Sequence, residues 1–281
     1  MISLHDILTH AGDRLINDKP FSLYRYTEFM IEAALVKKYG CTRILEVGPG
    51  VDPFVAWIEK DPAYTDIMAV DYCANVIEKN KQTFKNSRIH FQTLNLTDPS
   101  EAQQMPGNWD AVICNATVEH VPDDHALVEA IFNLLKPGGV FAFSTVLHPF
   151  LYNKWDYAMG HYRRYTVQGL KDLCHQFETV QVFQASILQE LIRPLFFGRI
   201  NHLLNNSLED NNQKVGFLEH ARPPYASIYG AVKYLMPIHF FADWMISKII
   251  GGIGIVVAQK PLDSPSILQS EPRHVSTVGA I

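Results

Sequence analysis

Two short stretches of the sequence combine residue types that can bind a ligand or support a reaction. The first, ILEVGPGVDPFV at residues 44–55, leads from apolar residues into Gly48 and Gly50 and holds the carboxylate Glu46. Glycine has no Cβ, so the backbone can turn sharply there and approach a ligand closely. A second carboxylate, Asp71, ends the next apolar run. A glycine turn between two acids indicates a site for a ribose-bearing ligand with positive charge.

The glycine turn departs from the loops that bind dinucleotides and phosphates. A dinucleotide loop follows GxGxxG, and Pro53 occupies its third glycine position, which argues against NAD or FAD. A Walker loop needs Gly-Lys followed by Ser or Thr, and the turn has no such sequence. Asp71 can instead accept hydrogen bonds from both ribose hydroxyls, while Glu46 can attract an amino group directly or through water. S-adenosylmethionine carries an ammonium and a sulfonium and meets these requirements.

The second stretch, GHYRRYT at residues 160–166, gathers a histidine, two arginines and two tyrosines just before a predicted helix. We interpret His161 as a candidate general base, because histidine is poised for proton transfer near neutral pH. An arginine can hold a carboxylate or phosphate of a substrate. The residues that we expect to close over the substrate are Tyr162, Arg163, Arg164 and Tyr165. The alternative is a solvated loop whose arginines pair with surface acids.

His120 is the second candidate base. It lies in a segment that must turn over the site if the preceding strand ends near Asn115. A contact with the substrate or a role as general base is one interpretation. The other, with equal weight, is a histidine that packs near or caps a helix beginning around Pro122.

Apolar periodicity predicts the elements that position these residues. The predicted strands are residues 43–47, 66–70, 88–94, 109–114 and 139–144, followed by TVQVFQA and GIGIVVAQK. The predicted helices are residues 53–60, 73–85, 99–105, 123–135 and 167–177, the last with Thr166 as N-cap. This alternation indicates an α/β fold with a doubly wound parallel sheet covered on both faces. Such sheets bind ligands at the carboxyl ends of their strands, where Asp71, Asn95 and Asn115 stand.

Five motifs in order resemble those of class I S-adenosylmethionine-dependent methyltransferases, over about residues 40–185 and the last strand. They are ILEVGPG, MAVDYC, LNLTD, WDAVICNATVEHVPD and LLKPGGVFAFST. The resemblance implies a Rossmann-like, seven-stranded, mostly parallel sheet of order 3-2-1-4-5-7-6, with S-adenosyl-L-methionine as cofactor and S-adenosyl-L-homocysteine as product. It also implies cofactor contacts from Glu46, Gly48, Pro49, Gly50, Asp71, Tyr72, Asn95, Leu96 and Asn115.

Two positions depart from the family pattern. Asp52 stands where a third glycine is common, and Asn95 stands where an aspartate is common. Asn95 can still bond to adenine by accepting through its side-chain carbonyl. Asp52 can face the methionyl ammonium or cap the helix that begins at Pro53, and we favour the cap because aspartate often occupies that position.

The sequence predicts four parts of the chain. Residues 41–186 and 251–260 form the cofactor-binding core, and residues 1–40 form an N-terminal helical cap. Residues 187–250 form a helical insertion over the ligand site, because so long a connection is usually structured and functional. The tail at residues 261–281, rich in Ser and Pro, is predicted to be disordered.

Composition limits the compartment and the partners. The 281 residues carry a net charge of −5 without a long basic run, which disfavours nucleic acid. The cysteines are scattered without a CxxC pair, so they are expected to be reduced in a cytoplasmic protein. No uninterrupted apolar run reaches the ~20 residues that span a bilayer. Asp123 and Asp124 beside His125 favour a helix start over a metal site, and we predict no metal.

These features predict an enzyme that methylates a small molecule, as a monomer or homodimer. O-methylation is the first expectation, with His161 and then His120 as base, while N- and C-methylation stay open. A peripheral membrane enzyme is an alternative, in which residues 228–250 lie on a bilayer to reach a lipid-linked substrate. A non-catalytic S-adenosylmethionine-binding protein is the other.

Overall fold

The computed structural model describes residues 2–11, 23–50, 52–185, 236–246 and 251–264. Within them, seven strands form one sheet in the order β3-β2-β1-β4-β5-β7-β6. The strands are β1 Arg43–Val47, β2 Asp66–Asp71, β3 His90–Thr93, β4 Trp109–Asn115, β5 Leu135–Val146, β6 Thr179–Ala185 and β7 Ile253–Gln259. β7 pairs antiparallel with β5 and β6, and the other neighbours pair in parallel. The predicted Rossmann-like sheet is confirmed.

Helices cover both faces of this sheet. They are α1 Leu4–Ala11, α2 Leu23–Lys38, α3 Phe54–Ile58, α4 Ala74–Thr83, α5 Pro99–Ala102, α6 Asp124–Leu134, α7 Lys154–Met159, α8 Val167–Leu173 and α9 Met236–Ile246. Short 3-10 turns at Val118–His120 and Pro149–Leu151 flank the edge where the strands end.

Two apolar layers hold the helices on the sheet. Successive strand residues point to opposite faces, so Ile44 packs with the layer of α1, α2, α3 and α9, while Leu45 packs with that of α6 and α8. Both residues are fully buried, as the strands of a parallel sheet covered on both faces require. The carboxyl ends of β1, β2 and β4 consequently meet at one edge, where the conspicuous residues of the sequence lie.

Most predicted elements exist, with shifted ends. β1 matches its prediction, and Thr166 caps α8 by accepting from the N–H of Gly169, as predicted. β3 begins at His90, two residues later than predicted, and the Arg88 side chain before it donates to the backbone carbonyls of Tyr64 and Asp61. All four cysteines are free thiols, as expected.

The predicted insertion at residues 187–250 is described only through α9, which packs against α2 and β6. The rest of that insertion lies outside the described residues, and so do residues 265–281 of the predicted tail. Among the described helices, each is too short or too polar to cross a bilayer.

Candidate active site

The glycine turn after β1 is held from two sides. Gly48 and Gly50 have φ angles of +69° and +56°, a region that favours glycine. A Cβ on Gly48 would lie 2.2 Å from the hydroxyl oxygen of Thr117, in the loop after β4. On the other side, Asn80 of α4 donates from Nδ2 to the carbonyl of Gly50 at 2.7 Å. The turn is therefore a rigid, open backbone cradle at the sheet edge.

Glu46 is fully buried under this turn, and it caps α3. Its Oε1 and Oε2 accept from the N–H groups of Phe54 and Val55, each at 2.9 Å. Burial raises the pKa of Glu46 to about 7, against the lowering effect of those two bonds. The predicted cap by Asp52 is wrong, because Pro53 is the N-cap residue and Glu46 supplies the acceptors.

Asp71 ends β2 beside the glycine turn. Its Oδ1 accepts from the N–H of Cys73 at 2.9 Å, and burial raises its pKa to about 6. That bond does not use Oδ2, and a carboxylate oxygen of this kind can accept from the hydroxyl groups of a ligand. The next residue, Tyr72, is 57% exposed. An acid with one oxygen in use and an open aromatic ring beside it fit a ribose and its attached base.

The loop after β3 holds Asn95 and Leu96. Asn95 Oδ1 accepts from the N–H of Thr97 at 3.1 Å and from its hydroxyl at 2.8 Å. The carbonyl that we expected to bond to adenine is thus already engaged, and the amide Nδ2 is the group that remains for a ligand. Leu96 is buried and packs below the loop.

A buried aspartate–histidine pair lies in the second stretch. Asp156 of α7 bonds through Oδ1 to Nδ1 of His161 at 2.9 Å and to Nε of Arg164 at 2.8 Å. Its Oδ2 accepts from the N–H of Asn153. Burial acts to raise the pKa of Asp156, but the bonds from His161 and Arg164 outweigh it and lower that pKa to about 2. A fixed carboxylate therefore orients the His161 ring and directs Nε2 away from itself.

His120 lies against His161. Their ring centroids are 4.7 Å apart in an edge-to-face arrangement. The cap interpretation of His120 is wrong, since α6 begins at Asp124 and Asp123 is its N-cap. One atom each from Glu119, His120 and His161 lie within 4.8 Å of one another, a spacing from which three ligands can reach one metal ion. The sequence did not indicate this grouping, because His161 is about 40 residues away along the chain.

The other residues of the second stretch are mostly turned inward. Arg164 is buried and bonds to Asp156 and the carbonyl of Leu147. Arg163 bonds to Asp124 and the carbonyl of Pro122. These arginines therefore stabilise the loop from within. Tyr162 is 59% exposed, and it adds to the raised pKa of Tyr72, whose larger causes are burial, Asp71 and Cys73.

Tyr165 joins the second stretch to the start of α6. Its buried hydroxyl donates to Asp124 Oδ2 at 2.6 Å, and burial together with that bond raises its pKa. Asp123 caps α6 by accepting from the N–H of Ala126 at 2.9 Å. The interpretation of these acids as helix-start residues is confirmed for Asp123, while Asp124 anchors Tyr165 and Arg163.

Sequence reasoning missed three residues at this edge. Asn80 holds the glycine turn, Asp156 orients His161, and Glu32 of α2 bonds to Asn115 at the end of β4. Asn80 and Glu32 lie in helices and look like ordinary polar positions in the sequence. Asp156 does carry a signal, because it precedes His161 by five residues and histidines are often oriented by a nearby acid.

A seven-stranded sheet of this order, with a glycine turn after β1 and an acid ending β2, defines a nucleoside-binding α/β protein. Residues 8–185 match a family model described as a methyltransferase domain. The chain therefore belongs to the class I S-adenosylmethionine-dependent methyltransferase family.

Curated relatives resemble parts of the chain. The ubiquinone biosynthesis O-methyltransferase of Psychrobacter cryohalolentis is 37% identical over 79 residues, which are 25% of this chain and 31% of that protein. The protein of the same name from Pectobacterium carotovorum is 31% identical over 104 residues, 37% of this chain and 43% of that protein. The match thus spans less than half of the length of these relatives.

Solved structures share the fold at low identity. The CurJ carbon methyltransferase has a TM-score of 0.54 at 14% identity, covering 90% of this chain and 58% of that chain. The Haemonchus contortus phosphoethanolamine N-methyltransferase 2, solved with S-adenosylhomocysteine, has a TM-score of 0.51 at 15% identity, covering 93% and 61%. These neighbours support the fold and leave the methyl acceptor open.

Proposed function

We propose that this protein transfers a methyl group from S-adenosylmethionine to a hydroxyl oxygen of a small molecule, with His161 as general base. The observation that carries the proposal is the buried Asp156–His161 pair at the edge where the strands end. The names of the curated relatives, which are O-methyltransferases, agree with oxygen as the accepting atom.

The cofactor would be held by the cradle around the glycine turn. Gly48, Pro49 and Gly50 would let the backbone approach it, and Asp71 would accept from the ribose hydroxyls. The exposed ring of Tyr72 would lie along the adenosyl group. Asn95, Leu96 and Asn115 would complete the contacts from the loops after β3 and β4.

The residues around His161 would prepare the acceptor. The bound cofactor supplies an electrophilic methyl group on a positively charged sulfur. The acceptor hydroxyl would donate to Nε2 of His161. Its O–H bond would break as the oxygen bonds to the methyl carbon, while the carbon–sulfur bond breaks and S-adenosylhomocysteine leaves. The proton would then sit on Nε2, where Asp156 stabilises the imidazolium through Nδ1. Alignment and exclusion of water supply most of the rate, up to ~7–11 kcal/mol.

The direct test is turnover with a panel of acceptors. Purified protein is incubated with S-adenosylmethionine bearing a labelled methyl group and with phenols, alcohols, amines and carbon acids, and mass spectrometry locates the label. We expect label on a hydroxyl oxygen. Label only on nitrogen or carbon would replace the O-methylation proposal by the open N- or C-methylation alternatives. Tight binding of S-adenosylhomocysteine with no labelled product across the panel would favour the non-catalytic protein.

One observation favours a second candidate, a peripheral membrane methyltransferase. α9 buries Phe240 against α2, yet it also exposes Ile238, Phe241 and Met245, which recur along one side of the helix. A helix that is apolar on two sides can lie on a bilayer and bring the site to a lipid-linked acceptor. Co-sedimentation with liposomes of mixed neutral and anionic lipids tests this, and the triple change of those exposed residues to Ser should release the protein if the candidate is correct.

A further inference from the structure

Three carboxyl side chains are buried together behind the glycine turn. Glu28 and Glu32 lie one turn apart on α2, and Glu46 lies on β1. Burial, and then the charge of Glu28, raises the pKa of Glu32 well above its usual value, and Glu46 adds to this. Arg25 opposes the shift at both Glu32 and Glu46. Three buried acids therefore lie close together, and Arg25 lowers the pKa of two of them.

One oxygen of Glu32 and two oxygens beside it have no donor among the described residues. Asn115 Nδ2 donates to Glu32 Oε2 at 3.1 Å. The second oxygen of Glu32, the side-chain oxygen of Asn115 and the hydroxyl of Ser144 are buried and have no hydrogen-bond partner in the described part of the chain. Asn115 and Ser144 pair in register on β4 and β5. Buried polar atoms in proteins are nearly always paired, so these acceptors indicate a ligand with N–H donors and positive charge.

The cluster adjoins the cofactor cradle. The hydroxyl of Thr117 donates to the carbonyl of Asn115 at 2.9 Å, and it stands where a Cβ on Gly48 would lie. Glu46, which the sequence offered as the partner of an amino group, has both oxygens committed to the start of α3. Glu32 is a neighbouring acid, and its Oε1 has no hydrogen-bond partner among the described residues.

We propose that Glu32 and Asn115 form a binding site for an alkylammonium group. The identity of the ligand rests on the proposed function, because both sources of such a group are ligands of a methyltransferase. One is the amino end of the methionyl part of the cofactor, and the other is an amine on the methyl acceptor. In both cases the N–H groups donate to Glu32 and to the side-chain oxygen of Asn115, and the carboxylate balances the charge.

The test for the cofactor source is calorimetry on Glu32→Gln, which keeps the side-chain shape and removes the charge. The ligands are S-adenosylhomocysteine and its deaminated analogue, which keeps the carboxylate and lacks the ammonium. We expect about ten- to a hundredfold weaker binding of the first ligand, as for a lost charge-assisted bond. The analogue should bind both proteins within twofold. Glu129→Gln, the same change on the exposed side of α6, is the matched control and should leave both affinities unchanged.

The test for the acceptor source uses the protein saturated with S-adenosylhomocysteine. n-Butylamine is added, and the shift of the melting temperature is measured. A shift in the wild type that is lost in Glu32→Gln assigns the site to an acceptor amine. Should Glu32→Gln fail to fold by circular dichroism, Asn115→Ser takes its place, with the same pattern expected.

If folded Glu32→Gln matches the wild type both in calorimetry and in the melting-temperature shift, the proposal is overturned. Glu32 would then be a buried, protonated acid with no ligand. Failure of the proposed function looks different. If the wild type bound no S-adenosylhomocysteine, the methyltransferase proposal would fall, while the amine arm, run without it, would still decide this site.

Discussion

The two conspicuous stretches of the sequence meet at one edge of the sheet, yet they use their polar residues in opposite ways. Around β1 and β2, the glycines leave the backbone open, and no hydrogen bond of Asp71 Oδ2 is found in the described residues. In residues 160–166, Arg164 and Tyr165 point into the protein and bond to buried acids. The polar residues of the second stretch thus stabilise the loop that holds His161.

The difference has a physical cause. Glycine has no side chain to bury, so the function of a glycine turn depends on its backbone conformation. The sequence predicts that conformation directly. Arginine and tyrosine have long apolar stems with polar ends, and they can serve equally as substrate contacts or as internal braces. Which role applies depends on the acids that the fold brings near, here Asp156 and Asp124.

The largest expected effect comes from removing the imidazole of His161. His161→Ala should lower the kcat for methylation of a phenol by about 10²–10⁴-fold, the usual contribution of general base catalysis. The affinity for S-adenosylhomocysteine should stay within twofold, because the cradle is built by other elements. Steady-state kinetics and calorimetry on the same preparation separate the two quantities.

Two histidine controls sharpen this result. His175→Ala changes an exposed histidine after α8 and should leave kcat unaltered. His120→Ala should cost less than tenfold, because the carboxylate of Asp156 bonds to Nδ1 of His161 and makes His161 the first candidate base. A loss larger in His120→Ala than in His161→Ala would reverse the order of the two candidate bases.

The next effect lies in the cradle. Asp71→Asn should weaken S-adenosylhomocysteine binding by about ten- to a hundredfold, because a neutral amide replaces a charged acceptor of the ribose hydroxyls. Calorimetry measures it, with Asp172→Asn on the exposed side of α8 as control. Unchanged binding by the folded variant would remove Asp71 from the ligand site.

The raised pKa of Asp71 adds a pH dependence to the cradle. Burial raises that pKa to about 6, and the ribose hydroxyls donate best to the ionised form. The affinity should therefore be full above about pH 7 and lost as pH falls through 6, by about tenfold at pH 5. Titrations at several pH values measure this slope. Asp71→Asn should abolish it, and a slope that survives in this variant would assign the titration to another group.

The sequence was informative where function depends on backbone shape and uninformative where it depends on tertiary contacts. The presence and approximate positions of the strands, and the glycine turn, followed from apolar periodicity, while the sheet order followed from the family motifs. Asp52 was misassigned as the cap of α3, because a local rule could not see that Glu46 reaches the same N–H groups from β1. The pairs Asp156–His161 and Glu32–Asn115 join helices to loops and strands that only the fold brings together.

A smaller effect tests the inward role of the second stretch. Arg163→Ala should lower the free energy of unfolding by about 1 kcal/mol, because its pair with Asp124 is half-exposed and weakened by solvent. The KM for the acceptor should change by less than threefold. Urea denaturation and steady-state kinetics measure the two. A KM raised tenfold or more, at unchanged stability, would return Arg163 to the role of substrate contact.

The smallest expected effect concerns metal. The atoms of Glu119, His120 and His161 are close enough to share an ion, but His161 is already oriented by Asp156 and can accept a proton without one. Dialysis against EDTA should therefore leave kcat within twofold. Micromolar Zn²⁺ should inhibit by engaging Nε2 of His161, the atom that we propose as the proton acceptor. Loss of activity with EDTA and its recovery with a divalent ion would contradict the proposal that His161 acts as a base without a metal ion. The loss of kcat in His161→Ala would then be explained by loss of a metal ligand. In that case Asp156 would orient a metal-bound His161 through its hydrogen bond to Nδ1.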